Sequence, residues 1–230
     1  MRLFALVLCG LLLAGVQAWH LGWRPPMQWN PWAPLDVRQP PNLLTAWKLS
    51  RLRDDPALCQ QTLRTSGMRY REQADSSPGA DCPLSNVWRV QSGAQTRLSS
   101  SFLASCPLAV AYALFEIHGL QPAAQRAFGQ PVTQVDHVGS FACRNVYHRQ
   151  QGRRSQHATA NALDISGFRL EDGQRIVLAR DWQGNGAKAQ FLREVRDAAC
   201  VSFNTVLGPD YNAAHANHFH LDMGPWRACR

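Results

Sequence analysis

His215-Ala-Asn-His218-Phe-His220-Leu-Asp222-Met223 is the stretch on which the fold turns. From His218 onward polar and apolar residues alternate without a break. Side chains along a strand point to opposite faces in turn. The alternation therefore predicts a strand over residues 218–223. It puts His218, His220 and Asp222 on one face and sends Phe219, Leu221 and Met223 into a core. Three polar groups in a row on one sheet face make the floor of a site.

A second polar stretch lies about fifty residues upstream: Ser155-Gln-His157-Ala-Thr-Ala-Asn-Ala-Leu-Asp164-Ile165. Four of the chain's eight histidines fall in these two stretches, so the imidazoles are concentrated, not scattered. Imidazole with carboxylate is the ligand set of open, catalytic Zn²⁺ sites. His157 and Asp164 are seven residues apart. On one helix they would sit about 10 Å from each other; on one strand they would face opposite ways. Neither arrangement lets both bind one ion, so the chain must turn between them. Ala158, Ala160 and Ala162 are small enough for a compact turn. Leu163 and Ile165 then bury one strand face and leave Asp164 on the other.

Around these stretches the pattern reads as α+β, a small antiparallel sheet with flanking helices. A strand over 162–170 turns at Glu171-Asp172-Gly173 into a strand at 175–179. Residues 132–138 alternate as a strand, and 187–200 carry a helix with Phe191, Leu192 and Val195 on one face. Pro107 suits a first helical turn. Leu108, Ala111, Tyr112 and Phe115 then recur as on an amphipathic helix that Gly119 ends. Pro122–Phe128 is a second helical piece, stopped by Gly129. Short helices are expected over 43–52 and 57–66, a polar loop over 66–82, and a strand pair over 87–97 with its turn at Ser92-Gly93.

The chain has 230 residues, enough for one domain with a lead-in. A hydrophobic content of 45% with eight tryptophans argues for a packed core and against disorder. The net charge of +8 favours an anionic partner such as an acidic polymer of the cell envelope. The densest basic run, Arg149–Arg154, has three arginines in six residues and reads as a solvated loop, so no nucleic-acid partner is expected.

Residues 1–18 read as an export signal, with Arg2, an apolar run from Leu3 to Val16, and Val16-Gln17-Ala18 as a cleavage site. The alternative is an uncleaved anchor to the inner membrane, because Trp19, Trp23, Trp29 and Trp32 follow and tryptophan favours membrane interfaces. Either way the protein is expected to face the periplasm. Residues 19–42, rich in proline and tryptophan, form an extended lead-in, and residues 43–230 form the domain. With Cys9 assigned to the signal, six cysteines remain: Cys59, Cys82, Cys106, Cys143, Cys200 and Cys229. An even number in an exported chain implies disulfides, three in all; six cysteines allow about 15 pairings, and spacing does not choose among them.

Ser155-x-His157-x6-Asp164-Ile, followed by His218-x-His220, resembles the zinc peptidases that include D-alanyl-D-alanine carboxypeptidases and murein endopeptidases, whose fold the hedgehog signalling domain shares. Within that group the chain looks most like the bacterial extensin-like protein C-terminal domain family. Pro31-Trp-Ala-Pro-Leu35, Thr45-Ala-Trp-Lys48, Cys106-Pro-Leu-Ala109, Cys143-Arg144, Asn161-Ala-Leu-Asp164 and Val206-Leu-Gly-Pro-Asp-Tyr-Asn212 carry the likeness. It implies that His157, Asp164 and His220 hold Zn²⁺ and that His218 takes a proton from the attacking water. Arg144 would stabilise charge on the scissile carbonyl or grip a substrate carboxylate. Where relatives end their motif on the ligand, His215 becomes the base and His218 the ligand. Relatives usually carry Gly where this chain has Ala160, which suggests a different turn or some strain there. The implied activity is peptidase action on peptidoglycan peptides; the alternative is a zinc-containing module that binds wall polymer without cutting it.

Overall fold

Residues 2–230 are described by a computed structural model. A helix, α1, runs over Arg2–His20. Among the described residues no helix is long and apolar enough to cross a membrane. The lead-in that follows holds a 3₁₀ turn at Met27–Trp29 and is otherwise irregular. Its prolines lack N–H groups, so the lead-in cannot saturate its own carbonyls. Donors come from its own last residue and from the domain: Asn42 Nδ2 to Gln28, then Lys48 Nζ to Met27 and Arg51 to Pro31, at 2.8–3.1 Å. Leu35 and Val37 are buried in the main core, so the lead-in is strapped onto the domain.

Two short helices follow, α2 (Thr45–Arg51) and α3 (Pro56–Leu63), the second capped by Asp55 accepting from Leu58 N–H. Next come β1 (Arg69–Gln73), β2 (Val87–Ser92), β3 (Arg97–Leu98) and β4 (Phe102–Ser105). Strands β1, β2 and β4 form an antiparallel sheet. The expected loop over 66–82 therefore contains a strand. Its residues are mostly polar because β1 is an edge strand and needs little apolar content; Tyr70 anchors it edge-on to Trp88.

Strands β2 and β3 do not pair as the expected hairpin. The connecting loop leaves the sheet because its N–H groups are taken elsewhere. Ala94, Gln95 and Thr96 all donate to the buried Glu116 carboxylate at 2.8 Å. Burial raises the pKa of Glu116, against the pull of those N–H groups. Strand β3 then pairs in parallel with β5 (Val132–Gly139) in the second sheet.

Helix α4 (Cys106–Phe115) is buried on every side, not amphipathic. A helix apolar all round belongs at the centre of a domain. It packs against α2, α3, β2 and β4. Gly119 does not stop it. A π-helical turn over Glu116–Leu120 leads directly into α5 (Gln121–Phe128), which ends at Gly129 in the left-handed region. Gly119 lies where that turn meets α7 (Ala187–Ser202); an added Cβ would sit 2.9 Å from the Ala198 Cβ. Gly119→Val is accordingly expected to destabilise the fold by about 1–3 kcal/mol, read as a lowered denaturant midpoint with unchanged slope. An unshifted midpoint would mean that α7 gives way freely.

The second sheet is mixed, not purely antiparallel. It contains β5 (Val132–Gly139), β6 (Ala162–Leu170), β7 (Arg175–Val177), β8 (Thr205–Leu207), β9 (Phe219–Asp222) and β10 (Ala228–Cys229), with β3 at one edge. The order is β10-β8-β9-β6-β5-β3, with β7 paired to β6, and β10 runs parallel to β8. The strand predicted over 218–223 is present as β9 but is not the last. Helix α6 (Leu178–Asp181) is a single turn before α7. Disulfides join Cys59 to Cys106, Cys82 to Cys143 and Cys200 to Cys229, while Cys9 is free and exposed.

Candidate metal centre

Register builds the site. Strands β6 and β9 pair antiparallel, with Asp164 directly opposite His220, Leu163 opposite Leu221 and Ile165 opposite Phe219. The four apolar residues are buried. Burying that face forces Asp164 and His220 onto the other as cross-strand neighbours. His220 Nδ1 lies 2.9 Å from Asp164 Oδ1.

His157 arrives from the predicted turn. Residues Gln156–Thr159 form a 3₁₀ turn whose N-cap, Ser155, accepts from His157 N–H. Ala160 follows in the left-handed region at φ 51°, and the chain enters β6. The turn is thus the one a glycine would favour, taken by alanine at a cost of about 1–2 kcal/mol. The Ala160 methyl is fully buried against Leu84 and Val87, which offsets part of that cost. Asn161 locks the turn: Ser105 Oγ donates to its Oδ1, and its Nδ2 donates to Gln156 Oε1, both at 2.6 Å.

Three donor atoms converge: His157 Nε2, an Asp164 carboxylate oxygen and His220 Nδ1. His157 Nε2 lies 3.2 Å from His220 Nδ1 and 3.2 Å from Asp164 Oδ2. Each imidazole is also held from behind. His157 Nδ1 donates to the Ser140 carbonyl at 3.1 Å, and His220 Nε2 donates to Asp222 Oδ2 at 3.0 Å. A second partner of this kind fixes ring and tautomer and leaves the inward nitrogen as the ligand atom. Asp222, aligned with the site by strand alternation, thus acts behind His220. Spacing alone pointed to Asp222; the Ser140 carbonyl carries no sequence signal.

The charges follow. Burial pushes Asp164 up, but the hydrogen bonds and charges of His157 and His220 outweigh it and hold the carboxyl well below its ordinary value. Burial pushes His220 down, but Asp164 and Asp222 raise its pKa to about 9. Two carboxylates thus flank the His220 ring and favour its protonated form.

The other expected residues surround this trio. His218 Nε2 stands 3.7 Å from Asp164 Oδ1, and its pKa is lowered by burial. His215, in a 3₁₀ turn over Ala213–His215, stacks near His218 and His220 with ring centroids 5.4 and 5.8 Å away. Burial, with the neighbouring imidazoles, lowers its pKa to about 4. Arg144 lines the same cleft, a volume of about 670 Å³ that also reaches Tyr147, Tyr211 and Trp226. Sequence reading missed the aromatic walls of that cleft.

The family described as extensin-like protein C-terminus matches residues 57–230, which include all six of these site residues. No curated protein and no solved structure matches the chain. The match spans well over half of the sequence, and the chain belongs to the extensin-like protein C-terminus family.

Proposed function

We propose that the chain is a zinc-dependent peptidase acting on peptidoglycan peptides in the cell envelope, with a fold akin to the D-alanyl-D-alanine peptidases and the hedgehog domain. The donor triangle carries the reading. Ligands about 2.0–2.1 Å from a tetrahedral Zn²⁺ lie about 3.3 Å from one another. Here the two imidazole nitrogens are 3.2 Å apart, with one Asp164 oxygen 2.9 Å from His220 Nδ1 and the other 3.2 Å from His157 Nε2, each imidazole already turned inward. Two imidazoles and one carboxylate are also the donor set of a zinc site that keeps a position open. His157, Asp164 and His220 would hold the ion. Bound there, zinc would polarise a scissile carbonyl and acidify a water.

The rest is the work of side chains. Burial lowers the pKa of both His218 and His215 beside the trio, which favours their neutral forms, and either can take the proton of an attacking water. His218 is the nearer to Asp164 and is assigned that role. Among the described residues the Arg144 guanidinium has no hydrogen-bonded or ionic partner; it is assigned to a substrate carboxylate or to the charge that builds on the carbonyl oxygen. Three disulfides fit an oxidising compartment, which supports the periplasmic reading of the N-terminal segment.

Incubation of the zinc-loaded protein with purified muropeptides tests the proposal. New cleavage products are expected, lost with a chelator and absent for His157→Ala. Products that survive both treatments would sink the reading. Zinc binding with no products would leave a wall-binding module.

A further inference from the structure

Tyr147 and His148 are consecutive non-glycine residues in the left-handed region, at φ 55° each. Backbone in such sparsely populated conformations persists only where surrounding contacts hold it, and it clusters at working sites. These two residues cap a loop that lines the cleft. Its stem is tied by Val146 N–H to the Arg153 carbonyl and Ser155 N–H to the Arg144 carbonyl, and its base by the Cys82–Cys143 disulfide.

The Asn145 amide holds the tip from within, donating to the Arg149 and Gln150 carbonyls, and a polar chain ties it outward to His215 beside the metal site. Asn212 Nδ2 donates to Tyr147 Oη at 3.0 Å. Asn212 Oδ1 accepts the backbone N–H of Ala214 at 3.0 Å and meets His215 Nδ1 at 2.8 Å. A backbone N–H can only donate, so the Asn212 oxygen must face Ala214 and His215. The proton of neutral His215 then has to be on Nδ1, and Nε2 is the free acceptor. No such argument fixes His218, whose Nδ1 partner is the exposed amide of the adjacent Asn217.

We infer that Asn212 and Tyr147 are positioning residues: together they set the tautomer of His215 and tie the strained loop over residues 144–154 to the metal site. The pair lets the cleft sense its own wall. A ligand that displaces Tyr147 loosens the Nδ2 side of the Asn212 amide, while Ala214 N–H still holds its oxygen towards His215. Only the catalytic consequence rests on the peptidase reading; the tautomer does not.

The test is therefore spectroscopic first. In zinc-loaded protein with ¹⁵N-labelled histidine, long-range ¹⁵N–¹H couplings show which ring nitrogen of His215 carries the proton. Wild type is expected in the Nδ1–H form. Asn212→Leu should shift the ring towards Nε2–H. Tyr147→Phe, which leaves the Asn212 cap intact, should give a partial shift. Asn212→Asp keeps an oxygen for Ala214 and His215 and should restore the wild-type form. An Nε2–H ring in wild type, or an unchanged ring in both Asn212→Leu and Tyr147→Phe, overturns the inference. With muropeptide hydrolysis as a second readout, Asn212→Leu should lower kcat at nearly constant KM, because His215 stands beside His218 as the second imidazole able to accept the water's proton. A change in KM alone would overturn the positioning role. Absence of hydrolysis in wild type would count against the peptidase reading and leave the tautomer result standing.

Discussion

Replacing Asp164 by alanine is expected to abolish metal binding while β6 stays paired. Leu163 and Ile165, which anchor the strand, are untouched by the change. The remaining imidazoles of His157 and His220 would lose the only carboxylate in the donor triangle. The loss should exceed the roughly 10- to 100-fold drop expected for Asp222→Ala, which removes only the partner behind His220. Metal content after dialysis, with circular dichroism as the fold control, checks both variants. Retention of stoichiometric zinc by Asp164→Ala would remove this aspartate from the ligand set.

The same triangle dictates a pH dependence. His220 has its pKa raised to about 9 in the metal-free site, so at neutral pH it carries a proton. A metal needs that Nδ1 unprotonated, and binding must expel the proton. Apparent zinc affinity should rise with pH up to about 9, and calorimetry in buffers of different ionisation enthalpy should count about one proton released at pH 7. For the metal-free protein the sign is opposite. The raised pKa contributes about 3 kcal/mol, fully present below about pH 6.5 and lost as pH rises through about 9. Zinc uptake that is flat from pH 6 to 9 would contradict the assigned proton.

The largest effect on stability is expected from Glu116→Ala. Its carboxylate is the acceptor for three consecutive backbone N–H groups, those of Ala94, Gln95 and Thr96. Each buried donor left unpaired costs about 1–3 kcal/mol. Some will find water once the side chain is gone, so the expected loss is about 3 kcal/mol or more. For a chain of this size that lowers Tm by roughly 6–12 °C. Glu116→Gln should recover only part, because its amide nitrogen cannot accept from an N–H. A melting curve unchanged by Glu116→Ala would mean that the loop saturates its donors elsewhere.

These cases show what the sequence exposes and what it hides. β9 was legible because burial of one face imposes a period of two, and the same constraint exposed Asp164 on β6. His157 followed because neither regular geometry could bring it to Asp164. β8 and β10 were hidden: at three and two residues they are too short to show a period. α4 was found but misread, since Ala109, Val110, Ala113 and Leu114 are as buried as the supposed apolar face. Gly119 resembled a stop signal because close approach to α7 and helix termination use the same residue. Glu116 carried no signal in the sequence, because its partners lie about twenty residues upstream in a loop. In the site, the residue types and their spacing were readable, as was Asp222 behind His220, whereas the carbonyl behind His157 belongs to Ser140 and leaves no mark on the sequence.

The disulfide pattern bears on how the chain reaches this state. Two of the three bridges interleave: Cys59 joins Cys106 while Cys82, lying between them, joins Cys143. A chain emerging from its N-terminus would first bring Cys59 and Cys82 together, the wrong partners. Only the C-terminal bridge, Cys200–Cys229, links cysteines adjacent in order. Neighbour-by-neighbour oxidation therefore traps the first half in a non-native link that must be broken and remade, a step of seconds to hours without help. The strand pairing that sets Asp164 beside His220 involves none of the four interleaved cysteines, so this floor of the cleft can form before the bridges around it are sorted.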